Sequence, residues 1–191
     1  MRSKNVYIIA GPNGSGKTTF AREYLPVYAN CPNFVNADYL AQGFSPFSPE
    51  RVALKAGKLL LKEVRRLAGE GKNFAFETTL SGKSYASFIK KLKQRDYMIH
   101  LFFLWIPTVE LALLRIKQRV AAGGHNIPEP DVRRRFVRTL HNLFYVFRPL
   151  ADKTLFFDNS TPKPILVAEE TNGVLNVFNQ PIFDLIAKGA N

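Results

Sequence analysis

The sequence predicts an α/β three-layer sandwich of the P-loop type. It has a parallel sheet of about five strands covered by helices on both faces, and a β-hairpin towards the C-terminus. Three observations lead there. Short apolar runs alternate with longer segments of helical periodicity. The most apolar run, at 98–106, reads as a central strand shielded on both faces. The first run, Val6-Tyr7-Ile8-Ile9-Ala10, ends directly in Gly11-Pro12-Asn13-Gly14-Ser15-Gly16-Lys17-Thr18, which fits the phosphate-loop pattern G-x-x-x-x-G-K-[ST] between a strand and a helix.

The elements follow in order. A helix over 17–25 leaves the loop, and 33–36 is a short second strand leading into Ala37-Asp38-Tyr39-Leu40-Ala41. Residues 44–50 carry turn chemistry, with Ser48 expected as an N-cap and Pro49 at the first helical position. Apolar residues at Val52, Ala56, Leu60, Val64 and Leu67 mark the helix that follows, which closes at Gly69 or Gly71. The third strand is 73–77, then come a polar loop over 78–82 and a helix over 83–95. Pro107 opens a helix to about 122, the run Gly123-Gly124-His125-Asn126-Ile127-Pro128 breaks it, and a basic helix spans 131–147. The fifth strand is 154–157. Residues 165–170 and 174–178 form the hairpin around Thr171-Asn172-Gly173, and 181–188 is a short helix. No repeat or linker divides the chain, so one domain over 1–191 is expected, with a lid at about 115–140 and the hairpin at about 165–178.

With 191 residues, 46% of them hydrophobic, the chain can bury one good core. Its single cysteine, Cys31, excludes an internal disulfide and suits a reducing compartment. No stretch resembles a signal peptide or approaches the roughly twenty apolar residues of a membrane span, so a cytoplasmic protein with no membrane partner is expected. The net charge of +12 implies anionic partners, either nucleic acid or phosphorylated ligands. Between Arg115 and Arg138 there are seven Lys or Arg against two acidic residues, which concentrates part of that charge after the fourth strand.

In the phosphate loop the glycines allow a tight turn that points successive N–H groups at an anion, and the helix N-terminus adds its own donors and dipole. Lys17 can reach the β- and γ-phosphates of ATP, and the Thr18 hydroxyl can ligate Mg²⁺, with Thr19 next along. Ligands of parallel α/β sheets bind at the carboxyl ends of the strands, which gathers Asp38, Glu77 and the basic segment on the same edge. Asp38 there is either an acceptor for the proton of an attacking hydroxyl or an N-cap. Glu77 either holds Mg²⁺ or a sugar hydroxyl, with Thr79 and Ser81 beside it, or pairs with a basic residue at the sheet edge. Arg119, the Gly-Gly joint and Arg133-Arg134-Arg135 make a lid whose guanidinium groups can grip phosphate. His125 is as well read as a turn residue as a phosphate contact, and three scattered histidines carry no metal signature.

Asn36-Ala37-Asp38, Phe76-Glu77-Thr78-Thr79-Leu80-Ser81-Gly82, the stretch from Arg119 through Gly123-Gly124-His125-Asn126-Ile127-Pro128 to Arg133-Arg134-Arg135-Phe136, and Phe157-Asp158-Asn159-Ser160 together resemble the zeta-toxin family of P-loop kinases over about residues 5–160. The resemblance implies ATP- and Mg²⁺-dependent phosphorylation of a sugar hydroxyl, UDP-N-acetylglucosamine in the better-known members, and an antitoxin that blocks the ATP site. It implies Lys17 and Thr18 on ATP and Mg²⁺, Asp38 as general base, Glu77 and Thr79 on the sugar, and Arg119 with Arg134 or Arg135 on the phosphates. The Asp158-Asn159-Ser160 loop either faces the adenine or caps its strand. Two other readings stay open: a kinase or ATPase acting on nucleic-acid ends, and a non-catalytic nucleotide-binding protein that docks an antitoxin-like chain through its hairpin.

Overall fold

Strand β1 (Lys4–Ala10) lies inside the sheet because Val6, Ile8, Ile9 and Ala10 are all shielded from solvent, and only a strand covered on both faces can bury such a run. The computed structural model describes residues 4–27, 29–124 and 126–190. His125 lies outside the described residues. The remaining strands are β2 (Phe34–Val35), β3 (Phe74–Thr78), β4 (Tyr97–Trp105), β5 (Lys153–Asp158), β6 (Ile165–Thr171) and β7 (Val174–Val177). Their order is β2-β3-β1-β4-β5-β6-β7.

The first five strands run parallel, as expected, but the sheet has seven strands rather than five. The hairpin is its continuation and not an appendage. β6 pairs antiparallel with β5 from Lys153↔Thr171 to Asp158↔Ile165, and β7 pairs with β6. The reason is physical: β5 would otherwise leave a row of backbone donors and acceptors unpaired beside the core. Val167 and Ala168 extend that core beyond Phe156, and all three are fully buried.

Helices α1 (Lys17–Val27), α2 (Ala37–Phe44), α3 (Ala53–Gly69), α4 (Ser84–Lys93), α5 (Val109–Ala121), α6 (Glu129–Asn142) and α7 (Gln180–Lys188) cover the sheet. Period-2 alternation sends Ile8, Phe76 and Phe103 to one face, against Leu60 and Val64 of α3. Ile9, Phe102 and Leu104 go to the other, against Phe20 and Leu25 of α1. Each such side chain contributes about 1.5–3 kcal/mol on burial. The segment after β4 has a small core of its own, in which Ile127 and Val132 pack with Ile106, Ala112 and Ile116. The expected lid is therefore anchored by apolar contacts on both sides of its glycine joint.

Local details differ from expectation in three places. Ser48 makes no side-chain cap; its carbonyl accepts from Arg51 N–H, which opens a 3-10 turn over Pro49–Val52, and α3 begins at Ala53. Asn36, not Asp38, caps α2, its Oδ1 accepting from the N–H groups of Asp38 and Tyr39. The basic helix ends at Asn142 and widens into a π turn over Leu143–Phe147.

The phosphate loop is pressed against its surroundings. Gly14 has φ +76, and a Cβ there would lie 2.7 Å from the Ala112 carbonyl oxygen of α5. Gly14→Ala is therefore expected to lower stability by roughly 2 kcal/mol or more, because left-handed strain of about 1–2 kcal/mol adds to the collision with backbone. Equilibrium urea unfolding measures it. Gly43→Ala, where a Cβ meets nothing within 4 Å, is the control.

Candidate active site

The loop between β1 and α1 is held in a cradle shape by its own groups and by the ends of neighbouring strands. Gly11, Gly14 and Gly16 have φ values of +148, +76 and +82. Ser15 N–H donates to the Pro12 carbonyl at 3.2 Å. Asn159 Nδ2, just past β5, donates to the Ser15 carbonyl at 2.6 Å, and a Cβ on Gly16 would strike that amide at 2.5 Å. The Ser15 hydroxyl is fully buried and has no hydrogen-bond partner among the described residues. Bare N–H groups, a helix N-terminus and a glycine-only backbone are what a bound phosphate tail requires.

Behind the cradle a buried polar cluster joins three strand ends. Glu77, at the end of β3, accepts from the Thr18 hydroxyl at 2.7 Å and from Asn36 Nδ2 at 2.7 Å, and its carboxylate stands 3.8 Å from Lys17 Nζ. Lys17 Nζ also donates to the Pro12 carbonyl at 2.9 Å. Burial pushes the Glu77 carboxyl up from its usual range and the Lys17 ammonium down, while each group's charge partly offsets the effect on the other. Asn36 enters the sequence reading only within the second strand and the stretch Asn36-Ala37-Asp38, with no role of its own. Its two ends do separate work, the oxygen capping α2 and the amide holding Glu77.

Two clefts of about 450 Å³ each open on either side of this cluster and share Lys17 and Glu77. The first is bordered by Gly14, Gly16, Thr18 and Thr19, by Arg115 and Arg119 of α5, and by Asn159 with the loop beyond it. Arg115 donates to the carbonyls of Asn159 and Ser160 at 2.8 and 2.9 Å, so α5 holds that loop against the cleft. Asp158 accepts from Ser160 N–H at 2.9 Å, closing the turn after β5. Thus the turn and the cleft wall are the same structure.

The second cleft contains Asn13, Asp38, Thr79, Ser81 and Arg135. Its floor is the loop after β3, in which Leu80 takes φ +56. That conformation is costly for leucine, and α6 stabilises it. Asn142 Nδ2 donates to the Leu80 carbonyl at 2.7 Å, and the Thr139 hydroxyl donates to the Thr79 carbonyl at 2.6 Å. The Thr79 and Ser81 hydroxyls lie 2.9 Å apart, and both residues border the cleft. Thr139 and Asn142 escaped the sequence reading. The available signal was two polar residues on the inward face of an otherwise apolar-lined basic helix, where both are buried.

The three consecutive arginines diverge. Arg133 pairs with Glu110 and Glu129, and Arg134 pairs with Asp131 at the rim of the second cleft. Only Arg135 borders the second cleft. Helical geometry separates them by about 100° per residue, so neighbours in sequence cannot share a face. Arg134, expected at the site together with or instead of Arg135, borders neither cleft itself; it is half exposed and pairs with Asp131, which does border the second cleft.

These features define a P-loop protein of the kinase type, with a phosphate cradle beside a second cleft. The zeta-toxin family pattern matches residues 1–172, and the chain belongs to the zeta-toxin family of P-loop kinases, which are ATP-dependent phosphotransferases. A protein of Haemophilus influenzae, described only as uncharacterized, is 31% identical over 139 residues, covering 71% of this chain and 94% of that protein. In fold, the structure of AvrRxo1-ORF1:-ORF2 with ATP is similar at TM-score 0.80 and 21% identity, covering 99% of this chain and 65% of that one. This chain accordingly spans just under two thirds of that relative. The PezAT chromosomal toxin-antitoxin system of Streptococcus pneumoniae gives TM-score 0.67 at 16% identity, over 99% of this chain and 85% of that chain. Among the described residues, no helix is long and apolar enough to cross a membrane.

Proposed function

We propose that this chain is an ATP- and Mg²⁺-dependent kinase that transfers the γ-phosphoryl group to a hydroxyl of a small molecule. The observation that carries this reading is the pair of clefts meeting at Lys17 and Glu77, one bordered by the phosphate cradle and the other by Asp38. In this reading the main-chain N–H groups of residues 13–18 and Lys17 bind the phosphates, and Arg119 faces them from α5. The Thr18 hydroxyl and Glu77, already within 2.7 Å of each other, would hold Mg²⁺, which needs few protein ligands and would neutralise charge on the β- and γ-phosphates. Asp38 takes the acceptor's hydroxyl proton as the new O–P bond forms and the bond to the β-phosphate oxygen breaks, leaving ADP. Thr79 and Ser81 hydrogen-bond the acceptor.

Incubation with Mg·ATP and a panel of sugar nucleotides and their parent sugars, followed by mass spectrometry, tests the reading. A product heavier by one phosphate is expected, and its absence throughout would overturn it. UDP-N-acetylglucosamine, the acceptor implied by the family resemblance, is the reference compound. Arg135→Ala is expected to lower kcat/KM by roughly 10²-fold, since it removes a guanidinium from the cleft, whereas Arg134→Ala should cost no more than about fivefold, because it takes no guanidinium out of the cleft and breaks one half-exposed pair with Asp131 at the rim. Equal losses in both variants would count against this division of roles.

An antitoxin-like partner is part of the proposal, because the structures resembling this chain include complexes of that kind. The outer strand β7, with no strand paired beyond it in the described sheet, offers an edge for such a chain. Co-expression with a neighbouring open reading frame, followed by co-purification and loss of turnover, would support it. The +12 charge also keeps a nucleic-acid-end kinase in view. Oligonucleotide binding that falls steeply between two salt concentrations would favour that second reading.

A further inference from the structure

The loop after β3 takes its orientation from one helix. The Leu80 side chain is buried in the main core, which fixes where the loop sits but leaves its peptide planes free to turn. At φ +56 the residue holds a left-handed conformation that leucine ordinarily avoids. Its relaxation would rotate the peptides on either side and swing the Thr79 and Ser81 hydroxyls away from their present places. The loop's own bonds are local: Leu80 N–H donates to the Thr78 hydroxyl at 3.1 Å, and Ser81 N–H to the Thr79 hydroxyl at 3.4 Å. Beyond this turn, and among the described residues, the side chains that donate to the Thr79 and Leu80 carbonyls both belong to α6. Those two carbonyls are the peptides immediately before and after the strained residue.

Thr139 has one hydroxyl proton and two carbonyls in reach, that of Thr79 at 2.6 Å and that of Arg135 at 2.7 Å. The Arg135 carbonyl already accepts the helical N–H four residues on, which leaves the hydroxyl proton for the loop. Both donors are firmly seated. Thr139 is fully buried, Asn142 is 4% exposed, and Leu140 and Leu143 anchor this end of α6 in the main core. Arg135 stands on the same helix face, four and seven residues before them, where it borders the second cleft. The helix thus sets the spacing between that guanidinium and the two hydroxyls that the cleft offers a ligand.

Resting on the kinase reading above, we infer that Thr139 and Asn142 are positioning residues for the acceptor. They clamp the peptides on either side of Leu80, so that Thr79 and Ser81 present their hydroxyls to the acceptor at a set distance from Arg135. Neither residue borders a cleft, so both act through the loop. Transfer between bound groups depends steeply on their placement, a displacement of about 1 Å costing on the order of 10²-fold. Loss of one clamp with the other retained is expected to cost about tenfold. The loss should fall on the acceptor and spare the phosphate cradle, which lies across the Lys17–Glu77 pair.

The experiment compares the full wild-type chain with Thr139→Val, Asn142→Leu and Thr139→Ser. The acceptor is UDP-N-acetylglucosamine, or the member of the sugar panel above that wild type phosphorylates fastest. Valine keeps the shape of threonine without the donor, and serine keeps the donor. In Thr139→Val and Asn142→Leu, kcat/KM for the acceptor should fall about tenfold. Calorimetric Mg·ATP affinity and acceptor-free ADP release should stay within about threefold, so a larger share of ATP is lost to water. Thr139→Ser should recover transfer to within about twofold of wild type. Hydrogen exchange should quicken about tenfold at the amides of 79–82 in Thr139→Val and stay unchanged along β1. Undiminished transfer in both donor-free variants, a loss shared equally with Mg·ATP affinity, a Thr139→Ser variant as impaired as Thr139→Val, or unchanged exchange at 79–82 would each overturn the inference. A wild-type chain that phosphorylates no member of the panel would instead remove the kinase reading itself.

Discussion

Replacing Asp38 by Asn is expected to lower the rate of phosphoryl transfer by about 10²–10⁴-fold, the contribution typical of a general base, while Mg·ATP affinity changes by less than about threefold. The separation follows from geometry. Asp38 sits in the first turn of α2 and borders only the second cleft, whereas the cradle lies across the Lys17–Glu77 pair. The fold should tolerate the change, because α2 is capped by Asn36 and the Asp38 carboxylate is not its cap. Single-turnover transfer and nucleotide calorimetry on the same preparation measure both halves. Retention of a tenth or more of the wild-type rate would remove Asp38 from the chemistry.

Lys17→Ala should cost a comparable amount, roughly 10²–10³-fold in kcat, because a preorganised cation on the transferring group is lost from a site shielded from water. The residue is 6% exposed and lies 3.8 Å from the Glu77 carboxylate, so its removal also leaves a buried acid without its nearest ammonium. A drop in thermal stability is expected alongside the loss of rate. Lys17→Arg should not restore activity, since a planar guanidinium cannot occupy the place of a compact ammonium beneath the Pro12 carbonyl. Steady-state ADP release with both variants tests this, and wild-type kcat in either would refute the assignment.

Much of the site was legible because the phosphate loop is local: eight consecutive residues fix glycine positions, donors and the lysine without help from the rest of the chain. Asp38 and Glu77 were legible for a related reason. Both follow parallel strands, and parallel topology brings those ends together. Asn36, Thr139 and Asn142 were not, because their work depends on partners between 41 and 62 residues away. The seven-stranded sheet was missed where the pattern of a hairpin, which is local, could not say whether β6 would find the open side of β5.

The sequence by itself determined that a parallel α/β core presents a phosphate cradle and two acids on one edge, since apolar periodicity and the glycine-lysine spacing act over a few residues. Only the tertiary structure decided that Arg135 and not Arg134 borders the second cleft and that a strained Leu80 is held by α6. Both outcomes depend on the rotation of one helix against distant strands, which is not written in any short stretch of chain.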